Sequence, residues 1–206
     1  MCVTPVTGQN GYVNHAFPCG TPALDFLGTL RARRNPLPAE QLGRAELLDD
    51  WFVESGMFDG APGADEADLA AALELRESVY SLVEARIAGR PLDVDGGAVD
   101  VLNRHAAQAP VVVRLGPDGT RRSGTAAQGL ATVAREAVEI LGGPDAALLR
   151  ECGRPECTQV YLDRSRGHRR EWCAMRTCGN RVKVSAYRSR HRTGEAPGAT
   201  AVAGHA

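Results

Sequence analysis

The chain has 206 residues, a formal net charge of −1, 43% hydrophobic but only 5% aromatic residues, and 23 glycines with 12 prolines. That composition supplies a core of leucine, valine and alanine joined by many turns, and it excludes wholesale disorder. No run approaches the roughly 20 uninterrupted apolar residues of a membrane span. Met1-Cys2-Val3-Thr4-Pro5 has neither the basic start nor the apolar stretch of a secretory leader, so the expected compartment is the cytoplasm, where cysteines stay reduced.

The first 18 residues show no clear period, although Tyr12, Val13, Ala16 and Phe17 suggest a short strand. Thr21-Pro22 reads as an N-cap and a first-turn proline. It opens a helix predicted over Ala23–Arg34, where Leu24, Leu27 and Leu30 recur every third residue and Asn35-Pro36 ends the run. A second helix is predicted over Glu40–Glu54, with the i,i+4 pairs Leu47/Trp51 and Leu48/Phe52 and Gly56 as its stop. A loop over Gly60–Ala64 leads to a longer helix, Glu66–Ala88, with Leu69, Leu73, Arg76, Val79, Tyr80, Val83 and Ile87 near the helical period.

Gly97–Ala107 is read as a short helix carrying Val101 and Leu102. The β-branched run Val111–Leu115, the turn Gly116–Gly119 and Thr120–Arg122 predict a hairpin. Helical spacing returns over Ala126–Leu141 and closes at Gly142-Gly143-Pro144. The expected fold is therefore α+β. It comprises a mainly helical N-terminal domain with a small β element (1–149), a cysteine-bearing module (150–192) and a small polar tail (193–206) read as disordered.

Charge divides at the same boundary. Residues 1–149 hold 12 Lys+Arg against 20 Asp+Glu, whereas residues 150–192 hold 12 against 4. A basic piece attached to an acidic body points to a polyanionic partner. Inside the basic piece lie Cys152, Cys157, Cys173 and Cys178, spaced Cys-x4-Cys, fifteen residues, Cys-x4-Cys. Tetrahedral Zn2+ takes four soft donors brought together by two tight turns, and paired cysteines supply each turn. About 43 residues bury too little apolar surface to fold alone, and zinc binding offsets that deficit by on the order of 10 kcal/mol. An iron–sulfur cluster takes the same ligands, and free thiols or disulfides are the remaining alternatives. His168 between the pairs reads as a solvated histidine, and Cys2 and Cys19 as ordinary thiols.

After Cys178 the run Asn180–Arg192 reads as a helix. Lys183, Tyr187 and Arg190 fall at i, i+4 and i+7, Arg181 and Arg188 share an adjacent stripe, and Val182 with Ala186 would face the metal core. Arg164, Arg166, Arg169 and Arg170 would form a second basic loop. These nine residues are the candidate nucleic-acid contacts. Trp172 and Met175 read as packing residues, and Asp163 as an acceptor that holds the module together.

Cys152…Cys157, Tyr161-Leu162-Asp163-Arg164-Ser165, Arg169-Arg170-Glu171-Trp172-Cys173-Ala174-Met175, Cys178-Gly179-Asn180-Arg181-Val182-Lys183 and Tyr187, Arg188 and Arg190 together resemble the CGNR zinc finger. Upstream, Leu24-Asp25-Phe26-Leu27-Gly28-Thr29, the Trp51 helix, Leu75-Arg76-Glu77 and Leu102-Asn103 resemble the ABATE domain that precedes this finger. The resemblance implies a stress-induced transcriptional regulator, mostly bacterial, with a treble-clef-like four-cysteine zinc module ending in a basic helix. One departure is Gly28, where the family usually has Asn.

The body lacks a P-loop, a dinucleotide fingerprint and a Gly-x-Ser-x-Gly elbow. His15 and His105 stand isolated, and no catalysis is expected. Asp25 is either an exposed first-turn acid or part of a ligand pocket. Three functions follow: a DNA-binding regulator whose body senses a small-molecule effector or forms a homodimer, an RNA-binding zinc protein, and a protein–protein adaptor. The first is favoured on the resemblance.

Overall fold

The computed structural model describes residues 15–92 and 96–192. The predicted tail 193–206 and the strand residues Tyr12 and Val13 lie outside them, and Ala16 and Phe17 are not in a strand. The fold is α+β. Helices α1 (Pro22–Leu27), α2 (Ala45–Glu54), α3 (Glu66–Ile87), α4 (Ala98–Ala106) and α5 (Ala126–Gly142) form the body. Three antiparallel ribbons join them: β1 (Leu30–Arg31) with β2 (Ala39–Glu40), β3 (Val112–Gly116) with β4 (Gly119–Ser123), and β5 (Leu149–Glu151) with β6 (Val160–Leu162). Helix α6 (Asn180–Arg192) ends the described chain.

The helices with clear start signals stand close to where periodicity puts them. Asp65 and Asp68 close a reciprocal capping box on α3, Thr125 and Gln128 do the same on α5, and Thr21 caps α1. The predicted hairpin forms in register, with Val113 opposite Arg122 and Leu115 opposite Thr120. Helix α3 packs against α1, α2, α4 and α5. Phe26, Trp51, Phe52 and Phe58 build an edge-to-face aromatic chain in the core, with centroids 5.1–5.6 Å apart.

Two predicted helices are shorter than expected. The helix read as Ala23–Arg34 ends at Leu27, and the one read as Glu40–Glu54 starts at Ala45. Between them the chain forms the β1–β2 ribbon, because its charged residues find distant partners. Arg76 of α3, only 3% exposed, clamps both oxygens of Glu40 at 2.6 and 2.7 Å and also reaches Thr29 and Glu77. Arg33 stacks 4.0 Å over the Tyr80 ring and pairs with Glu77, and Arg34 pairs with Glu84 and Glu151. These contacts outweigh a third-residue leucine spacing.

Ribbon β5–β6, absent from the sequence reading, sets Leu149 opposite Leu162 and Glu151 opposite Val160. It packs on α3 and α1, so Leu149, Val160, Tyr161 and Leu162 belong to the same apolar core as the body helices. Gly28, at the end of α1, lies against the ribbon's exit. A Cβ there would stand 2.3 Å from Nε2 and 2.6 Å from Oε1 of Gln159. The Gln159 amide fills that space and donates to the Cys19 sulfur at 3.0 Å, and that thiol in turn donates to the Val160 carbonyl at 2.8 Å.

Gly28→Asn is therefore expected to destabilise the protein by about 1–3 kcal/mol through overpacking. Adding Gln159→Ala should recover most of that loss, because the two positions compete for one volume. Thermal melts of the two single variants and the double variant measure it; additive losses would contradict it.

Candidate metal centre and the helix it carries

The first pair of cysteines sits on the turn between β5 and β6. Cys152 donates from its backbone to Gln159 at 2.9 Å, and the Cys157 amide donates to Arg154 at 2.8 Å, which closes a knuckle. Gly153 donates to Glu171 at 2.8 Å and ties the knuckle to the segment entering the second pair. That second pair spans an extended Ala174 and a wide turn, Met175–Gly179, which runs directly into α6. Gly179 lies close under its neighbours: a Cβ there would come within 2.8 Å of the Met175 sulfur and 3.3 Å of Trp172.

The two knuckles converge. All four sulfurs lie within 4.8 Å of one another, with Cys157 3.9 Å and Cys178 3.6 Å from Cys173. A tetrahedron of ~2.3 Å zinc–sulfur bonds has edges of about 3.8 Å, so the donor set and spacing fit Zn2+. Cys152, Cys173 and Cys178 are buried, while Cys157 is half-buried. The crowded thiols do not titrate alike. Hydrogen bonds from Cys157 and Cys173 hold Cys152 low, and the same contact with Cys152 pushes Cys157 up to about 12. A divalent cation removes the conflict by accepting all four as thiolates.

The segment between the pairs is wound around Asp163, which is fully buried. Its carboxylate accepts from the Ser165 hydroxyl at 2.6 Å, the Ser165 amide at 3.0 Å and the Arg170 amide at 3.1 Å; these bonds, the hydroxyl first, hold its pKa below the usual carboxylate range. Asp163 thus organises the module as expected. Arg170 then clamps the second knuckle. Its guanidinium lies 4.2 Å over the Tyr161 ring and donates to the carbonyls of Trp172, Cys173 and Pro18.

Scanned against family models, residues 20–144 match ABATE, described as "Putative stress-induced transcription regulator", and residues 149–191 match the CGNR zinc finger. The first match alone covers more than half of the chain. The chain belongs to the ABATE family. No curated protein matches it.

In this ABATE protein the predicted nucleic-acid residues fall in different settings. Arg181, Lys183, Tyr187 and Arg188 are exposed on α6, and the side chain of Arg190 lies outside the described residues. Arg166 and Arg169 are exposed on the loop after β6, but Arg164 pairs with Asp145 at 2.6 Å and Arg170 is engaged inside the module. Trp172 packs against the core, whereas Met175, read as core, is 52% exposed, and the end of its side chain covers Gly179. His168 is exposed, and its ring bonds the Asp163 carbonyl at 2.8 Å. Gln159, Arg154 and Arg31 were not singled out by sequence reasoning, because their places depend on contacts distant in the chain.

Asp25 is not an exposed acid. It is 4% exposed and accepts the Cys19 amide at 2.9 Å, fixing the chain ahead of α1. Burial pushes its carboxyl up to about 6. The folded state then holds this proton more tightly than the unfolded chain, so stability falls as pH rises from about 4 to about 6. Asp25→Asn keeps an acceptor for Cys19 and removes the charge. It is expected to raise stability at pH 7.5 by about 2 kcal/mol and to flatten the fall across that window. Melts at a series of pH values check this; an unchanged profile would count against the assignment.

Purified protein is expected to carry one zinc per chain by metal analysis, and Cys173→Ser to carry none. Because β5–β6 shares the body's core, chelation should lower the melting temperature of the whole chain rather than release a separate domain. A body transition unmoved by chelation would contradict the shared core.

Proposed function

We propose that this ABATE protein is a transcriptional regulator that binds duplex DNA through α6, with zinc as a structural ion. Four thiolates complete a tetrahedral shell, so the metal's role in this reading is to hold the two knuckles and aim the helix. The observation that carries the reading is the setting of α6. Among its residues with described side chains, only Val182 is half-buried; Asn180, Arg181, Lys183, Val184, Ser185, Tyr187 and Arg188 are all exposed. The helix packs chiefly on the Met175–Gly179 turn that launches it.

A 13-residue helix with so little packing is marginal on propensity alone. Its cations repel one another until a polyanion neutralises them. Displacing condensed counterions from DNA supplies that neutralisation and makes binding strongly salt-dependent. The acidic body is left to sense an effector or to pair with a second copy. Among the described residues no helix is long and apolar enough to cross a membrane, and reduced thiolates suit a cytoplasmic setting.

Fluorescence anisotropy with a mixed-sequence duplex tests this. Arg181→Ala/Arg188→Ala, at unchanged zinc content, is expected to weaken binding by at least about tenfold and to lower the log–log salt slope by about 2. Undiminished binding by that variant, or binding independent of salt, would sink the proposal. Preference for RNA in competition would favour the RNA-binding reading, and a salt-sensitive protein complex without nucleic-acid binding would favour an adaptor.

A further inference from the structure

Helix α6 faces the first knuckle across a concavity on one side, and on the other a concavity runs along its own surface from the turn that launches it. Three adjoining concavities share Arg181 as a common wall. One lies between α6 and the first knuckle, where Arg154 and Glu156 face Val182 and Ser185, and Asn35 of the β1–β2 turn closes the end. A deeper cleft of about 250 Å³ continues from Arg154 and Arg181 to Arg31 and Thr158. The third lies along α6 between Arg176 and Arg188, with Asn180 and Val184 between them. At 100° per residue, Val182 and Val184 fall on opposite sides of a ridge made by Arg181 and Ser185.

The charge in these concavities is one-sided. Arg31 and Arg154 stand on one flank, Arg176 and Arg188 on the other, and Arg181 on the ridge. Glu156 is the one carboxylate among their lining residues, 3.1 Å from Arg154. Lys183 and Tyr187 project from the far side of the helix, about 140–180° from the ridge.

Resting on the DNA-binding reading, we propose that the interface is this two-flanked groove and not the helix alone. Helix α6 enters the major groove with the Arg181–Ser185 ridge inward. Arg31 with Arg154 then grips one bordering phosphodiester strand, and Arg176 with Arg188 the other. The dimensions agree, since a major groove ~12 Å wide admits a helix of ~10–12 Å and leaves the phosphates against whatever borders it. Arg31 belongs to the segment between α1 and β2, so the body takes part in binding and not the zinc module alone.

The test uses the full-length zinc-loaded protein, with variants compared at equal zinc content. Arg31→Ala/Arg154→Ala and, separately, Arg176→Ala should each weaken duplex binding severalfold and lower the salt slope by ~0.9 per lost phosphate contact. Lys183→Ala should change the slope less than Arg176→Ala. Glu156→Gln should tighten binding, because it removes a repelling charge from one flank and frees Arg154.

If Arg181→Ala/Arg188→Ala weakens binding while Arg31→Ala/Arg154→Ala, Arg176→Ala and Glu156→Gln leave affinity and slope unchanged, the flanked groove is wrong and binding by α6 alone survives. If Arg181→Ala/Arg188→Ala is also without effect, both fall. Tighter binding to an RNA duplex of the same sequence overturns the groove as well, since the deep, narrow major groove of A-form RNA does not admit the helix.

Discussion

The placing of the second knuckle and of α6 depends on four sulfurs meeting at one point. Between Cys152 and Cys178 the chain offers few apolar side chains of its own, and cohesion comes from the two knuckles and the bonds around Asp163. A cation among four thiolates contributes on the order of 10 kcal/mol to such a module. It also fixes direction, because Cys178 sits within the turn that becomes α6. The helix has no comparable support elsewhere among the described residues.

The module nevertheless does not stand on its own core. Tyr161, 1% exposed, lies on the ribbon that packs into the body and beneath the Arg170 guanidinium that holds the Cys173 carbonyl. Arg170 reaches on to Pro18. From the other side, Arg34 pairs with Glu151, one residue before Cys152, and the Arg33 amide donates to Thr158 at 3.3 Å. The β1–β2 segment is thus a strap between α3 and the first knuckle. It is secured by Arg76, whose loss would leave Glu40 and Thr29 without their shared buried partner.

What the sequence made legible were the features whose causes are local. The four ligands declare themselves by spacing, α3 and α5 by caps and period, and the β3–β4 hairpin by its turn. The truncation of α1, ribbons β1–β2 and β5–β6, and the buried Arg76–Glu40 pair were not legible, because each is decided by a partner at least 36 residues away or by the body surface it packs on. The same limit applied to the arginines. Composition marks a basic segment but not where each cation goes: Arg170 turns inward, Arg164 pairs with Asp145, and Arg154, paired with Glu156, borders the groove with Arg31. Gly28 is a further case. The space that a side chain would take there is filled by the amide of Gln159, from a distant part of the chain.

The position of Arg181 connects metal, body and proposed DNA contact. It follows Cys178 by three residues and walls all three concavities, so any movement of the second knuckle changes both flanks together. Zinc bound by four thiolates carries a net charge of about −2, and Arg154 and Arg181 line the same cleft as Cys157, Cys173 and Cys178. These two arginines therefore lie between the thiolate cluster and a phosphate chain, and each anion's field is weakened by the cations they share. Metal and DNA would both favour the one arrangement in which knuckles and ridge are ordered, so by linkage each raises the affinity for the other. A protein built this way loses the knuckle and α6 part of its proposed DNA-binding surface together when its thiolates are taken, while Arg31 stays on the β1–β2 ribbon of the body.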